Sequence, residues 1–140
     1  MFRCYGDKMP KYPHMSPGEE KLWERYLTWC PYVFLHLTYD LHLGDSAPLD
    51  PSWEQWLVNL VLATSRKRVD VIGETEKEII IYEIKEYAGM NALGQLLCYE
   101  ALYREEYKPT KPIRKTVITD RLPPNMEILF PQFNVEIILV

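Results

Sequence analysis

The stretch Arg68-Val-Asp-Val-Ile-Gly73, followed after a polar turn by Ile79-Ile-Ile-Tyr-Glu-Ile-Lys85, decides the fold of this chain. Both runs are short, rich in β-branched residues and interrupted by charge, which is typical of β-strands. The turn at 74–78 predicts that the two strands form a hairpin. From Met90 to Tyr103 apolar residues recur every three or four positions, which predicts a helix.

Charged side chains should meet at one end of this hairpin. Because side chains alternate along a strand, Val69 and Val71 are expected on one side of the first strand and Asp70 on the other. Glu83 and Lys85 share a face at the end of the second strand, and the hairpin brings Asp70 alongside them.

Two carboxylates and a lysine in this arrangement suit phosphodiester hydrolysis. Asp70 and Glu83 offer hard oxygen ligands for a divalent metal, and waters and the Ile84 carbonyl would complete its shell. Such a metal lowers the pKa of a water molecule and neutralises charge on a phosphate. Lys85 would orient the attacking water or stabilise the pentacovalent phosphorus. The alternative is that all three are solvated surface charges, Glu83 and Lys85 on an edge strand.

The pattern Asp70, Glu83-Ile-Lys85 resembles the signature of the PD-(D/E)xK nucleases. The run Gln95-Leu-Leu-Cys-Tyr99 on the following helix is similar to the Gln-x-x-x-Tyr motif of the RecB-like branch. Val69 departs from the usual proline before the aspartate. The resemblance implies Mg²⁺ or Mn²⁺ as cofactor and DNA as substrate. It also implies that Gln95 and Tyr99 help to place the metal site and the DNA backbone.

The same resemblance implies a further acidic residue from the first helix. That helix is predicted to start at Ser16-Pro17 and to end at Pro31, with Ser16 as its cap. Glu24 is the expected site residue, and Glu20, one turn earlier, is the alternative. The alternative is that Glu24 has no role in the site and is a plain surface glutamate on an amphipathic helix.

Composition limits how such a chain could bind DNA. The 140 residues carry 16 basic and 20 acidic side chains, a net charge of −4, whereas phosphate neutralisation supplies much of the affinity for DNA. Clustered basic residues or a partner must therefore contribute. Arg66, Lys67 and Arg68 are the candidate substrate contacts. They could share a face with four more distant basic residues, or all of these could be solvated surface: Lys108, Lys111, Arg114 and Lys115.

Two further patterns leave alternatives open. His36, Asp40 and His42 share a face of the strand that ends before Gly44; they could bind a metal, but a half-exposed polar face is favoured. Asp50-Pro51 should begin a second helix whose apolar stripe braces the sheet. The tryptophans of that stripe, Trp53 and Trp56, are expected in the core or in an interface.

The three cysteines lack paired spacing, which argues against a disulfide framework or a zinc site. Cys30 and Cys98 are accordingly interpreted as buried, small apolar residues.

The sequence thus predicts an α/β fold: a mixed sheet of about five strands, the first three antiparallel, flanked by helices. Residues 1–15 are expected to form an irregular arm and residues 16–140 a single domain of restriction-endonuclease-like type. The predicted function is metal-dependent DNA cleavage by a small stand-alone member of phage or mobile-element type. The alternative is a non-enzymatic assembly subunit of a nucleoprotein machine. We expect an intracellular, cytoplasmic protein with a possible protein partner or homo-oligomer, no membrane association and no nucleotide cofactor.

Overall fold

The computed structural model describes residues 2–3, 12–65 and 67–140, with side chains left out for residues 2–3 and 63–65. The helices are α1 (Pro17–Leu27), α2 (Gln55–Ser65), α3 (Met90–Tyr107) and α4 (Met126–Gln132). The strands are β1 (Phe2–Arg3), β2 (Val33–Phe34), β3 (His36–Leu43), β4 (Lys67–Glu74), β5 (Ile79–Ile84), β6 (Ile113–Thr119) and β7 (Val135–Leu139). Within these residues, no helix is both long and apolar enough to cross a membrane.

The main sheet has five strands in the order β3-β4-β5-β6-β7. β3, β4 and β5 are antiparallel neighbours, while β6 runs parallel to β5 and β7 parallel to β6. The predicted α/β class, with a mixed sheet whose first three strands are antiparallel, is confirmed. The β4–β5 hairpin closes through Thr75, whose hydroxyl accepts hydrogen bonds from the backbone of Lys77 and Glu78.

The two faces of this sheet carry separate cores. On one face α1 packs through Leu22, Trp23 and Tyr26 against Ile80 and Tyr82 of the sheet. On the other face α3 packs against the sheet through a second cluster, which includes Ala92, Leu93, Leu96, Ile79 and Ile81. Successive side chains of β5 enter the two cores in turn, so its isoleucines and its tyrosine are all buried. Its one charged residue, Glu83, lies near the carboxyl end.

The N-terminal segment differs from the expected irregular arm where it is described. Phe2–Arg3 pairs with β2 as an antiparallel strand. Tyr12 and Met15 are buried in the core on the α1 face. At these positions the predicted arm packs with residues of the predicted domain.

The second helix also differs from prediction. It begins at Gln55 rather than at Pro51, because the Asp50 carboxylate accepts hydrogen bonds from the backbone and hydroxyl of Ser52 and holds a turn there. None of its described side chains is buried, and Trp56 is 63% exposed. The expectation that its apolar stripe braces the sheet is wrong.

The side-chain alternation of β3 and β4 reverses in mid-strand, which also corrects a prediction. Val71 lies in the core on the α1 face and Val69 in the core on the α3 face, so the two do not share a side. β3 reverses in the same way between Tyr39 and Leu41. Asp40 stands between these two with a left-handed backbone at φ 52°, which rotates the strand.

The cysteines differ from their expected roles. Cys98 is exposed and free, whereas a buried position was predicted. Cys30 is buried as predicted, but it is disulfide-bonded.

Candidate active site

Asp70 and Glu83 face each other across the open end of the β4–β5 hairpin. The register pairs Val71 with Tyr82, so the next position places Asp70 beside Glu83. Asp70 Oδ2 accepts a hydrogen bond of 2.9 Å from the backbone N–H of Ile84, which fixes the carboxylate at the end of β5. The two carboxyl groups are close enough that each shifts the pKa of the other. The structure thus brings together the two acids that the sequence singled out, with the Ile84 backbone beside them.

Burial makes this pair costly to ionise. Glu83 is only 5% exposed, and burial, reinforced by the charge of Asp70, raises its pKa well above the ordinary value. Burial also raises the pKa of Asp70 to about 6, even though the Ile84 N–H and the charge of Lys85 act to lower it. A cation nearby would favour the state in which both carboxyls are ionised.

One oxygen of the pair is left without a protein partner. Glu83 Oε2 is buried and finds no hydrogen-bond partner among the described residues. Buried polar atoms are normally satisfied, so such an atom calls for an explanation. Carboxylate oxygens of this kind are the ligands that Mg²⁺ and Mn²⁺ prefer. The donor set of Asp70 and Glu83 therefore fits a divalent metal. No group of three or more acidic, histidine or cysteine residues is arranged to hold a metal within the described part of the chain.

Lys85 lies at the mouth of this site. Its side chain is exposed, and its charge acts to lower the pKa of both Asp70 and Glu83. Its backbone N–H donates to the carbonyl of Ile118 on β6 at 2.9 Å, so the residue is fixed by the parallel strand pair. The ammonium group is thus available to a ligand that binds at the pair.

The predicted helix residues Gln95 and Tyr99 lie on the α3 side of the pair. Tyr99 is 4% exposed, and burial, followed by the charges of Glu83 and Asp70, raises the pKa of its hydroxyl. The exposed Gln95, one helical turn earlier, acts to lower that pKa. This burial favours a role of Tyr99 beneath the carboxylates over the direct DNA contact expected from the sequence.

The first helix presents Glu19, rather than Glu24 or Glu20, to the carboxyl pair. The charge of Glu19 raises the pKa of both Asp70 and Glu83. Glu24 instead lines a recess with Lys21, Arg25 and Thr28, and Glu20 accepts a hydrogen bond from the backbone of Tyr12. Sequence reasoning missed Glu19 because its pattern has another meaning: it is the acidic partner of Ser16 in a capping box at the start of α1.

The three basic residues predicted to contact the substrate, Arg66, Lys67 and Arg68, differ in their surroundings. Arg66 lies outside the described residues, and Lys67 is exposed at the start of β4. Arg68 is engaged by Asp40, with Nε 3.8 Å from Oδ1, and by His14. Asp40 Oδ2 also lies 3.0 Å from His14 Nε2 and 3.5 Å from His42 Nε2. Asp40 is therefore the centre of a polar cluster with His14, His42 and Arg68, in which an arginine stands where a metal would have to bind. His36 does not share this face, because the alternation of β3 reverses at Asp40.

Three of the more distant basic residues that could have shared a face with Arg68 are paired elsewhere: Lys111, Arg114 and Lys115. Lys111 and Arg114 lie near the start of β5 and β6, at the opposite end of the sheet from Glu83. Each pairs with a carboxylate: Lys111 with Glu74 at 2.8 Å and Arg114 with Glu78 at 3.2 Å. The buried Lys115 pairs with Glu100. Among the described residues, Lys111, Arg114 and Lys115 are thus engaged with carboxylates of their own and do not join Arg68 in one basic face.

Comparison with known proteins gives two partial structural matches. No family model matches the chain, and no curated protein matches it. A repair endonuclease from Pyrococcus abyssi is 24% identical, with a TM-score of 0.45 over 52% of this chain and 32% of that chain. A structure of an EndoMS–dsDNA2 complex is 25% identical, with a TM-score of 0.45 over 52% of this chain and 30% of that chain. The chain spans about a third of the length of each.

Proposed function

We propose that this chain is a Mg²⁺- or Mn²⁺-dependent DNA nuclease of the PD-(D/E)xK, RecB-like kind. The observation that carries the proposal is the buried pair of Asp70 and Glu83, with Glu83 Oε2 unsatisfied by the described residues and Lys85 at its mouth. A purely structural role would leave that oxygen and the raised pKa of both acids without compensation. A bound cation together with a phosphate would supply that compensation.

The residues have distinct roles in this proposal. When bound, the cation would neutralise charge on the phosphate and acidify a water molecule. Asp70 and Glu83 would hold it through carboxylate oxygens, and the Ile84 N–H fixes the Asp70 carboxylate through Oδ2. Glu19 adds negative charge from α1, although one of its oxygens already accepts the Ser16 N–H at 3.1 Å.

Lys85 and Tyr99 act on opposite sides of the carboxylates. The exposed ammonium of Lys85 is placed to stabilise the charge that develops on phosphorus oxygens during in-line attack. The Tyr99 hydroxyl is a hydrogen-bond donor at neutral pH, so it could donate towards the pair. Gln95, one helical turn before Tyr99, would orient that hydroxyl. Gln95 and Tyr99 are therefore proposed as positioning residues.

Metal-dependent cleavage tests the proposal. Wild-type chain is incubated with plasmid, single-stranded and duplex oligonucleotides in Mg²⁺, in Mn²⁺ and in a chelator. We expect the wild type to cleave only when Mg²⁺ or Mn²⁺ is present and Asp70→Asn to lose this cleavage. Glu76→Gln, which changes an exposed carboxylate in the turn at the far end of the same hairpin, is the matched control and should cleave like wild type. A folded wild type that cleaves nothing, or an Asp70→Asn variant that cleaves as fast, contradicts the proposal.

A second candidate function rests on a separate observation. Helix α2 contains no charged side chain. Its Trp56 is nevertheless 63% exposed, and Leu62 on the helix and Leu49 before it are also exposed. Exposed apolar surface of this kind is typical of protein contacts, which favours an assembly subunit of a nucleoprotein machine. Such a subunit would associate in a way that Trp56→Glu abolishes, whether or not Asp70 is intact.

A further inference from the structure

An aromatic ring and a guanidinium lie together on the surface next to the candidate active site. Arg121 Cζ is 5.3 Å from the centre of the Tyr87 ring. Tyr87 is 52% exposed and the Arg121 side chain is 70% exposed, so neither serves the core. A surface cation–π contact contributes only about 0.5–1 kcal/mol, which does not account for leaving so much ring uncovered.

The backbone beneath this pair is held firmly. Tyr87 and Arg121 form an isolated parallel bridge just beyond β5 and β6. The Ala88 N–H donates to the Arg121 carbonyl at 3.3 Å. The buried Thr119 hydroxyl lies 2.9 Å from the same carbonyl and 3.3 Å from the carbonyl of Glu86. The ring and the guanidinium are thus presented by a fixed scaffold rather than by a loose loop.

Their position relates them to the chemistry. Tyr87 follows Lys85 by two residues, so their Cα atoms are at most about 7 Å apart. Arg121 follows the strand that pairs in parallel with β5. A phosphate held beside Lys85 would therefore have its neighbouring nucleotide within reach of the Tyr87 ring.

We infer that Tyr87 and Arg121 form a stacking platform for an unpaired nucleobase beside the candidate metal site. An aromatic face binds bases by stacking, and a base must be outside a duplex stack to offer its own face. The guanidinium adds a positive charge for the flanking phosphate and a planar group that stacks as well. The inference rests on the proposed function in taking DNA as the ligand.

Binding of two DNA forms tests the platform. Fluorescence anisotropy of the full chain without metal is measured with a single-stranded thymidine oligonucleotide and with a closed dumbbell duplex that has no free ends. Loss of one stacked base corresponds to about 5- to 150-fold in affinity. We expect Tyr87→Ala to lower single-strand affinity about tenfold or more. Dumbbell affinity should not change, and Tyr87→Phe should stay near wild type.

Tyr107→Ala is the matched control, because Tyr107 is an equally exposed tyrosine at the end of α3, stacked on Tyr103 and not on the site loop. Its single-strand affinity should equal that of wild type. Unchanged affinity in Tyr87→Ala, equal loss on both DNA forms, or no single-strand binding by wild type overturns the inference. The failures are distinguishable: a protein that binds through Tyr87 but never cleaves refutes only the nuclease, and one that cleaves without needing Tyr87 refutes only the platform.

Discussion

Asp40 on β3 lies directly opposite Asp70 on β4, and the side-chain alternation of both strands reverses at this pair of positions. The flanking pairs fix the register, since Tyr39 pairs with Val71 and Leu41 with Val69. Asp40 takes the left-handed backbone that rotates β3. The alternation of β4 reverses at the paired position, Asp70. The Asp70 carboxylate points towards the end of β5, where it accepts a hydrogen bond from the Ile84 N–H.

The first prediction concerns this backbone. Asparagine and glycine adopt positive φ readily, whereas a β-branched residue does not. Asp40→Val should therefore lower the free energy of unfolding by about 1–3 kcal/mol more than Asp40→Asn, with Asp40→Gly as a second reference. Denaturant unfolding measures this. Equal stabilities of the valine and asparagine variants would show that the reversal does not depend on the conformation of Asp40.

The second prediction is a pH dependence of the metal-free chain. Because burial raises the pKa of Asp70 from 3.8 to about 6, the folded state binds more protons than the unfolded state between these values. The free energy of unfolding should thus fall as pH rises from about 4 through about 6. Glu83, whose pKa is also raised, extends the loss to higher pH. Unfolding in a chelator across this range measures it; a rise in stability with pH over the same window would contradict it.

The third prediction separates the cost of the carboxyl pair from its use. Burial raises the pKa of Glu83, so ionising its side chain in the folded state is unfavourable. Glu83→Gln removes that cost, and the metal-free variant should therefore be more stable than wild type at pH 8. It should lose the stabilisation that millimolar Mg²⁺ or Mn²⁺ confers on wild type by binding the folded state. Thermal melting with and without metal tests both effects, and Glu76→Gln should show neither. Flat melting curves of wild type over millimolar metal would contradict the metal site.

The fourth prediction concerns Lys85. Loss of one preorganised electrostatic group costs roughly 3 kcal/mol of transition-state stabilisation, so Lys85→Ala should cleave about a hundredfold more slowly or worse. Metal affinity should survive, because lysine is not a ligand. Cleavage rate and metal-induced melting shift are measured on the same preparation, with Lys77→Ala, an exposed lysine in the opposite turn, as control. A variant that cleaves at the wild-type rate removes Lys85 from the reaction.

The fifth prediction tests the fold through two glycines. A Cβ at Gly73 in β4 would stand 2.5 Å from Cε1 of the fully buried Phe34 ring, whereas one at Gly94 in α3 would meet nothing within 4 Å. Gly73→Ala should therefore destabilise the chain by about 1–3 kcal/mol through overpacking. Gly94→Ala should stabilise it by about 0.5–1 kcal/mol, since glycine costs that much in a helix. Equal effects in denaturant unfolding would contradict this packing.

Local pattern was sufficient for the hairpin, the helix after it and the meeting of three site residues. The periods of two and of about 3.6 are properties of the backbone, so β4, β5 and α3 could be recognised as elements from apolar spacing, although the faces of β4 could not. A hairpin also fixes which residues lie opposite one another. Asp70 and Glu83 were therefore predictable as neighbours before any packing was known.

The sequence by itself thus determined the strand order around Asp70, Glu83 and Lys85. Tertiary structure decided the rest, because it depends on contacts between segments distant in the chain. Docking of α1 on the sheet brought the charge of Glu19, rather than that of Glu24, near both carboxyls, and closure of the two cores raised their pKa. The reversal at Asp40 and the exposure of Trp56 likewise follow from how β3 and α2 meet their neighbours, which no local period encodes.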